Sequence, residues 1–315
     1  MDFMKENKCY LGSIGYELGQ QKNISELHFF DHEKNLLDIF KARGLSNYTE
    51  SQLRPHELAK SAIEKTLAKN FCLPDSIDCI VLATDSFWDE AIYSRSQFNI
   101  IMNDFGLKNA YPIGVFMLEC TSSSVALQIA SNLVFCKKAN NVLVVCTNKV
   151  KPGQDQERII QPGISILSDA AVACLVSSQN TGEYQLLSVE QMHSSSLEEL
   201  DPEDSFEDFV KGSIKGFEAV TRKLFSRIHQ TSEKFSWLIT NNYLKHIIMM
   251  FASKIGFNAG QCYFDNIGRF AHAHTADTLI NLIDLSIHRT VISGERLLLL
   301  SNSPTSWGAV GLMRI

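Results

Sequence analysis

The sequence has no Cys-x-x-Cys pair, no low-complexity tract, no long Gly/Ser linker and no apolar run approaching a membrane span. Each absence removes a class of protein. The eight cysteines (Cys9, Cys72, Cys79, Cys120, Cys136, Cys146, Cys174 and Cys262) read as free thiols. Most lie in runs such as Cys79-Ile80-Val81-Leu82 and Val144-Val145-Cys146, as small core residues do in a reducing compartment. Met1 to Tyr10 carries scattered charge and no apolar h-region, so no secretion signal is expected and the location reads as cytoplasmic. Positive charge is not in excess either. The chain has 29 basic and 35 acidic residues, a net of −6, so neither nucleic acid nor membrane is an expected partner.

What is present is apolar bulk. Hydrophobic residues make up 45% of 315, enough for a large core in one domain or two fused halves. β-type runs alternate with helical periodicity, which predicts an α/β fold. In the first half, strands are predicted at Cys9–Leu18, Asp78–Thr84, Gly114–Leu118, Val142–Thr147 and Ala171–Val176, with helices at His56–Lys69, Tyr93–Phe105 and Thr121–Cys136. The same order recurs with strands at Tyr184–Met192, Trp237–Thr240, Gln261–Phe264, Leu297–Leu300 and Val310–Ile315, and helices at Phe206–His229, Leu244–Ile255 and His274–Ile287. The repeat predicts two halves, 1–180 and 181–315, joined near Asn180 and related by a pseudo-twofold. The third helix of each half would then be central. Cys120 would stand at the amino end of one and His272 just before the other, so the twofold would bring thiol and imidazole together.

Four groups of residues could carry chemistry. A thiol at a helix amino terminus is expected to be acidified by exposed N–H groups, and Ser122, Ser123 and Ser124 keep the turn after Cys120 small. The competing reading is a buried structural cysteine, which suits the other seven. Ala271-His272-Ala273-His274-Thr275-Ala276-Asp277 reads three ways: a zinc or iron site, general acid–base work by one histidine, or a helix start with incidental histidines. Asn241-Asn242 follows a strand, where an Asn can orient an imidazole, donate to a carbonyl oxygen or cap the next helix. Ser301-Asn302-Ser303-Pro304-Thr305-Ser306-Trp307-Gly308 links two strands, either as a plain hairpin or as a source of oxyanion-binding N–H groups.

Together these segments resemble the thiolase superfamily, specifically its ketoacyl-ACP synthase III (KAS III) type, over nearly the whole chain. The resemblance is carried by Gly106-Leu107-Lys108-Asn109-Ala110-Tyr111-Pro112 leading to Glu119-Cys120, by Asn141–Val145, Ile166–Ala173 and Trp237–Ile239, and by Gly294–Leu299 with Trp307-Gly308. It implies a duplicated five-layer αβαβα fold and a homodimer. It also implies an acyl-accepting Cys120, with the Cys120 and Ser303 N–H groups as oxyanion donors. No tightly bound cofactor or metal is implied, and acyl-CoA or acyl-phosphopantetheine on an acyl carrier protein would be the co-substrate. The departures are informative. Where condensing members place His in Pro-His-Gln-Ala-Asn, this chain has Thr240-Asn241-Asn242-Tyr243-Leu244; where they place Asn in Gly-Asn-Thr, it has Ala271-His272-Ala273. The run from Ala271-His272 to Asp277-Thr278-Leu279-Ile280-Asn281-Leu282 is similar to a Gly-His-x-x-x-x-Asp-x-x-Ile-Asn-Leu pattern, with Ala for Gly. That pattern marks a subgroup resembling acyltransferases of secondary metabolism.

The reading that follows is acyl transfer from a thioester, through acyl-Cys120, to a hydroxyl or amine of a small-molecule acceptor. Decarboxylative condensation and a non-catalytic partner subunit stand as alternatives. His272 is expected as general base, oriented by Asn241 in preference to Asp277, because Asp277 would point sideways from a helix beginning at His274. A carrier protein is acidic, so its docking patch must be local. Lys245 and Lys254 on one helix are the candidates, with Lys211, Lys215, Arg222 and Lys223 a less specific set and an ordinary solvated face the alternative.

Overall fold

Alternate residues of Asn141–Asn148 enter different cores. Val142, Val144 and Cys146 face one apolar cluster, and Leu143 and Val145 face another. Leu297 and Leu299 likewise part from Leu298 and Leu300. Strands buried on both faces in this way belong inside a layered α/β protein. The computed structural model describes residues 8–86, 91–160, 163–198 and 205–315.

Nine strands form the main sheet: β1 (Cys9–Leu18), β2 (Cys79–Ala83), β3 (Tyr111–Val115), β4 (Asn141–Asn148), β5 (Ala170–Ser177), β6 (Tyr184–His193), β7 (Trp237–Thr240), β8 (Arg296–Asn302) and β9 (Ser306–Arg314). From the middle outward, one side runs β1-β5-β4-β2-β3 and the other β6-β9-β8-β7. A single parallel bridge from Leu238 to Cys262 adds the place of a fifth strand beside β7. Both sides therefore have the same order, with two antiparallel steps followed by two parallel ones. They join where β1 pairs with β6 over Cys9–Leu11.

Helices α3 (Ser122–Phe135) and α6 (Asp277–His288) touch strands of both sides and lie between them. Helix α1 (Pro55–Leu67), with α2 (Ala91–Asp104) against it, covers the outer face of the first side, while α4 (Phe206–Ile228) and α5 (Lys245–Lys254) cover the second. This is the duplicated αβαβα arrangement of a thiolase-like fold. No helix among the described residues is long and apolar enough to cross a membrane.

Two predicted strands differ. Gln261–Phe264 is a 3₁₀ turn, Ala259–Gln261, followed by the lone bridge at Cys262, because the Asn258 side chain caps the Gly260 N–H at 2.9 Å and winds the chain. The strand expected at Gly114–Leu118 lies at Tyr111–Val115, since its register on β2 ends at Ala83 with Val115. One unpredicted unit bears on the site. Gln20–Asn23 pairs with Asn47–Glu50, and Ile24, Leu27, Phe30, Phe40 and Tyr48 around this ribbon pack on Ile166, Leu244 and Ala271.

Candidate active site

The nucleophile candidate is placed by an abrupt turn. After β3, Met117 and Glu119 take positive φ (76° and 46°), which L-residues avoid, and a 3₁₀ turn Glu119–Thr121 leads into α3. Cys120 is thereby turned inward, at 6% exposure. Strand β9 passes close to the first turn of α3, where only glycine fits. A Cβ on Gly308 would lie 1.8 Å from Ser124 Oγ.

The facing wall is a return of the second half. Ala271 adopts φ 54° and ψ −139°, a region ordinarily left to glycine, and reverses the chain after the short helix Ile267–Phe270. The chain then lies along Ile166–Ser168: the His272 N–H donates to the Ile166 carbonyl at 2.9 Å, and the Ser168 N–H donates to the His272 carbonyl at 2.8 Å. This fixes the imidazole so that Nε2 meets Cys120 Sγ at 3.1 Å. The other ring nitrogen, Nδ1, is in a short hydrogen bond to Asp277 Oδ2.

Asp277 is fully buried at the start of α6, and its carboxylate is surrounded by N–H groups. Oδ2 also accepts from the Asn242 N–H (2.8 Å) and Asn241 Nδ2 (3.4 Å), and Oδ1 accepts from the Ala273 N–H (2.7 Å) and Asn242 Nδ2 (3.2 Å). An acceptor so placed assigns the proton of a neutral His272 to Nδ1 and leaves the Nε2 lone pair facing the thiol. Asn242 is itself held by Asn281, whose Nδ2 donates to Asn242 Oδ1 at 2.8 Å.

The expectation that Asn241 rather than Asp277 adjoins His272 is therefore corrected. No α-helix begins at His274. A single 3₁₀ turn, His274–Ala276, precedes α6 and swings Asp277 back onto the imidazole. Asn241 lies one step out, and its Oδ1 accepts the Asn302 N–H at 2.9 Å. The expected oxyanion donor Ser303 is buried, but its N–H closes the hairpin on the Ser306 carbonyl at 2.9 Å, and Pro304 has no N–H to offer. The expected acidic thiol is also corrected. Burial pushes the Cys120 thiol well above its ordinary value, and the Glu119, Asp277 and Asp85 carboxylates push the same way. Its own backbone N–H opposes them by less. The thiol rests protonated until a base takes its proton.

Three groups adjoin this pair: His274, read from the sequence within the His-x-His run, and Tyr243 and Asp85, which were not singled out. The His274 ring stacks beside that of His272, with centroids 5.4 Å apart. Cys120 Sγ and a ring nitrogen from each histidine lie within 4.8 Å of one another, a donor set that zinc also accepts. Burial, then His272 and Arg158, lower His274 to about 3. The Tyr243 ring packs on His272 and its hydroxyl donates to the Asn302 carbonyl at 3.1 Å. Burial raises Asp85, at the end of β2, to about 6. Only the second histidine of the His-x-His run had left a trace in the sequence. Lys245 and Lys254 are exposed at opposite ends of α5, about 14 Å apart by helix rise, and form no single patch. Lys245 lies over the Phe264 ring, while Lys254 shares a surface groove with Arg222 and His229.

A family model described as 3-oxoacyl-[acyl-carrier-protein (ACP)] synthase III matches residues 116–195, the stretch that includes Cys120. Among curated proteins, the chain is 22% identical to the beta-ketoacyl-[acyl-carrier-protein] synthase III of Chlamydia caviae over 281 residues, 82% of each chain. Among solved structures, 3-oxoacyl-[acyl-carrier-protein] synthase III from Aquifex aeolicus VF5 superposes with a TM-score of 0.78 at 19% identity, covering 97% of this chain and 99% of that one. ChlB3, an acyltransferase, gives a TM-score of 0.81 at 14% identity and 98% coverage of both chains. In sequence the chain is similar to KAS III proteins, and in fold it is thiolase-like.

Proposed function

We propose that this protein is an acyltransferase that loads an acyl group from a carrier-protein or CoA thioester onto Cys120 and passes it to a hydroxyl or amine. The carrying observation is the line Cys120–His272–Asp277, with sulfur and Nε2 3.1 Å apart and Nδ1 on a buried carboxylate. His272 Nε2 takes the thiol proton, and the thiolate attacks the thioester carbonyl. The tetrahedral adduct collapses, and the departing thiol leaves with the proton from the imidazolium. In the second half, Nε2 takes a proton from the acceptor as its oxygen or nitrogen attacks acyl-Cys120, and the sulfur leaves to be reprotonated. Asp277 stabilises the imidazolium that forms in each half.

An apolar cavity of about 190 Å³ suits the arm of the donor. It is lined by Tyr243, Asn302, Ser303 and Pro304 at the site and by Ile160 and Phe209 further out. A homodimer belongs to this reading. The edge strand β3 has Tyr111 47% exposed, and the adjoining Phe116 and Met117 are 53% and 82% exposed, an apolar strip that a second copy of β3 would cover. Service in a cytoplasmic pathway of secondary metabolism is part of the same proposal. The alternative, decarboxylative condensation, is favoured by the names of the curated relatives.

Intact-protein mass after incubation with a panel of acyl thioesters tests the reading. A stoichiometric acyl adduct is expected on the native chain and none on Cys120→Ala. An adduct that persists in Cys120→Ala sinks the proposal, and chain extension in place of an ester or amide product establishes the alternative.

A further inference from the structure

Acyl transfer through a thioester needs donors for the negative oxygen of the tetrahedral adduct. The Cys120 N–H is one. Residues 302–304 of the hairpin offer no second, because the Ser303 N–H is bonded to the Ser306 carbonyl, the Asn302 N–H to Asn241 Oδ1, and residue 304 is proline. Beside the sulfur stands a group the transfer mechanism leaves unused. His274 holds φ 50°, an unfavourable conformation for a residue with a side chain, and its ring is stacked on that of His272. A nitrogen of that ring lies within 4.8 Å of Cys120 Sγ. No described residue hydrogen-bonds either nitrogen of the His274 ring. A mostly buried imidazole with both nitrogens open, held against a nucleophile, is set to meet something that arrives with the substrate.

We propose that His274 is a catalytic residue, donating a ring N–H to the oxyanion formed when acyl groups enter and leave Cys120. The inference rests on the reading of Cys120 as the acyl acceptor. The electrostatics agree with it. Burial, the adjacent His272 and the Arg158 guanidinium keep His274 uncharged at neutral pH. A neutral imidazole carries one N–H, can donate without giving up its proton, and does not compete with His272 for the thiol proton. The division of labour is between one imidazole backed by a carboxylate, as base, and one with no carboxylate, as donor. The donation forms and breaks no covalent bond.

The test compares two reactions of Cys120. Acylation by a thioester passes through an oxyanion, whereas alkylation by iodoacetamide does not. His274→Ala is expected to slow single-turnover acylation by about 10²- to 10³-fold while leaving the alkylation rate within threefold. His274→Asn or His274→Gln, which restore an N–H donor, are expected to recover at least tenfold of that loss. Unchanged acylation in His274→Ala overturns the assignment. So does a parallel fall in alkylation, which would place His274 behind the thiol and not the oxyanion. One zinc per chain in native mass spectra, absent from His274→Ala and inhibitory until chelated, would replace the donor with a metal site. If the native chain alkylates but takes no acyl group from any thioester, the acyltransferase reading itself has failed, and this inference falls with it.

Discussion

Asp277→Asn is the substitution that separates a triad from a mere cluster of charge. The native carboxylate receives three N–H groups on Oδ2 (His272, Asn242 and Asn241) and two on Oδ1 (Ala273 and the Asn242 side chain). An amide has only one acceptor oxygen. It will turn that oxygen to the side with three donors, leaving its own NH₂ against the Ala273 N–H. The lost charge-assisted bonds cost about 3–5 kcal/mol of stability. The chemical loss is separate. When His272 becomes an imidazolium it loses a negative partner roughly 4 Å away, worth about 4 kcal/mol at an effective dielectric of about 20, or about 10³ in rate. A flip of the tautomer would raise the loss to about 10⁴, as in the serine-protease triad. The neighbouring-charge alternative predicts the opposite sign. Asp277 raises the Cys120 thiol, so neutralising it should ease thiolate formation. Single-turnover acylation followed by intact mass, on protein shown to be folded by thermal melting, reads the difference. A variant within tenfold of native, or faster, refutes the triad.

Three further outcomes are expected. Gly308→Ala places a Cβ 1.8 Å from Ser124 Oγ and 2.6 Å from its Cβ, so β9 must retreat from α3. Stability should fall by about 1–3 kcal/mol with slower acylation, and an unchanged melting curve would contradict the contact. Ala271→Gly relieves the strained φ of 54° and should stabilise by about 1 kcal/mol in urea titration; destabilisation would show that the strain is absent. His274 gives acid sensitivity. Its folded value of about 3 lies below its ordinary 6.5, so the unfolded chain takes up a proton that the folded one refuses. The native state is thus destabilised as pH falls from about 6.5 towards 3, by at most about 5 kcal/mol. Asp85, raised from 3.8 to about 6, opposes this, because its contribution is lost as pH rises through that window. His274→Asn should flatten the fall in stability between pH 7 and pH 4, and parallel curves would exclude the assignment.

The repeat of elements was legible because its signal is local. Strands buried on both faces read as unbroken apolar runs, and β1 and β7 lie where periodicity places them. The meeting of Cys120 with His272 was also legible, from two chain positions and a supposed twofold. What failed depended on backbone direction over two or three residues. One 3₁₀ turn decides whether Asp277 points sideways or at His272, and neither Thr275 nor Ala276 announces it. Availability of the Ser303 N–H depends on a hairpin closing over Pro304. Thiol acidity was misjudged because helix position can be read locally, while burial and the distant Asp85 cannot. The ribbon Gln20–Asn23 with Asn47–Glu50 is short and almost wholly polar, so no hydrophobic pattern marks it.

The same geometry bears on which bond the acyl group enters. Decarboxylative condensation needs neutral N–H donors converging on the oxygen of a malonyl thioester as its enolate forms. Neither Asn241 nor His272 is arranged to donate there. The Asn241 amide is directed at Asp277 and the His274 carbonyl, with its oxygen held by the Asn302 N–H. Once Cys120 is acylated and the donor thiol has left with its proton, His272 is neutral. Its one proton is on Nδ1 against Asp277, so Nε2 faces the acyl group with a lone pair. A lone pair can receive a proton from an attacking alcohol or amine, but repels an enolate oxygen. Acyl-Cys120 incubated with a malonyl thioester should therefore release no carbon dioxide above background, and a suitable alcohol or amine should discharge it. Carbon dioxide released in step with loss of the acyl-enzyme would show that an N–H reaches the enolate after all. His272 or His274 would then be a donor to the enolate, and carbon–carbon bond formation the reaction.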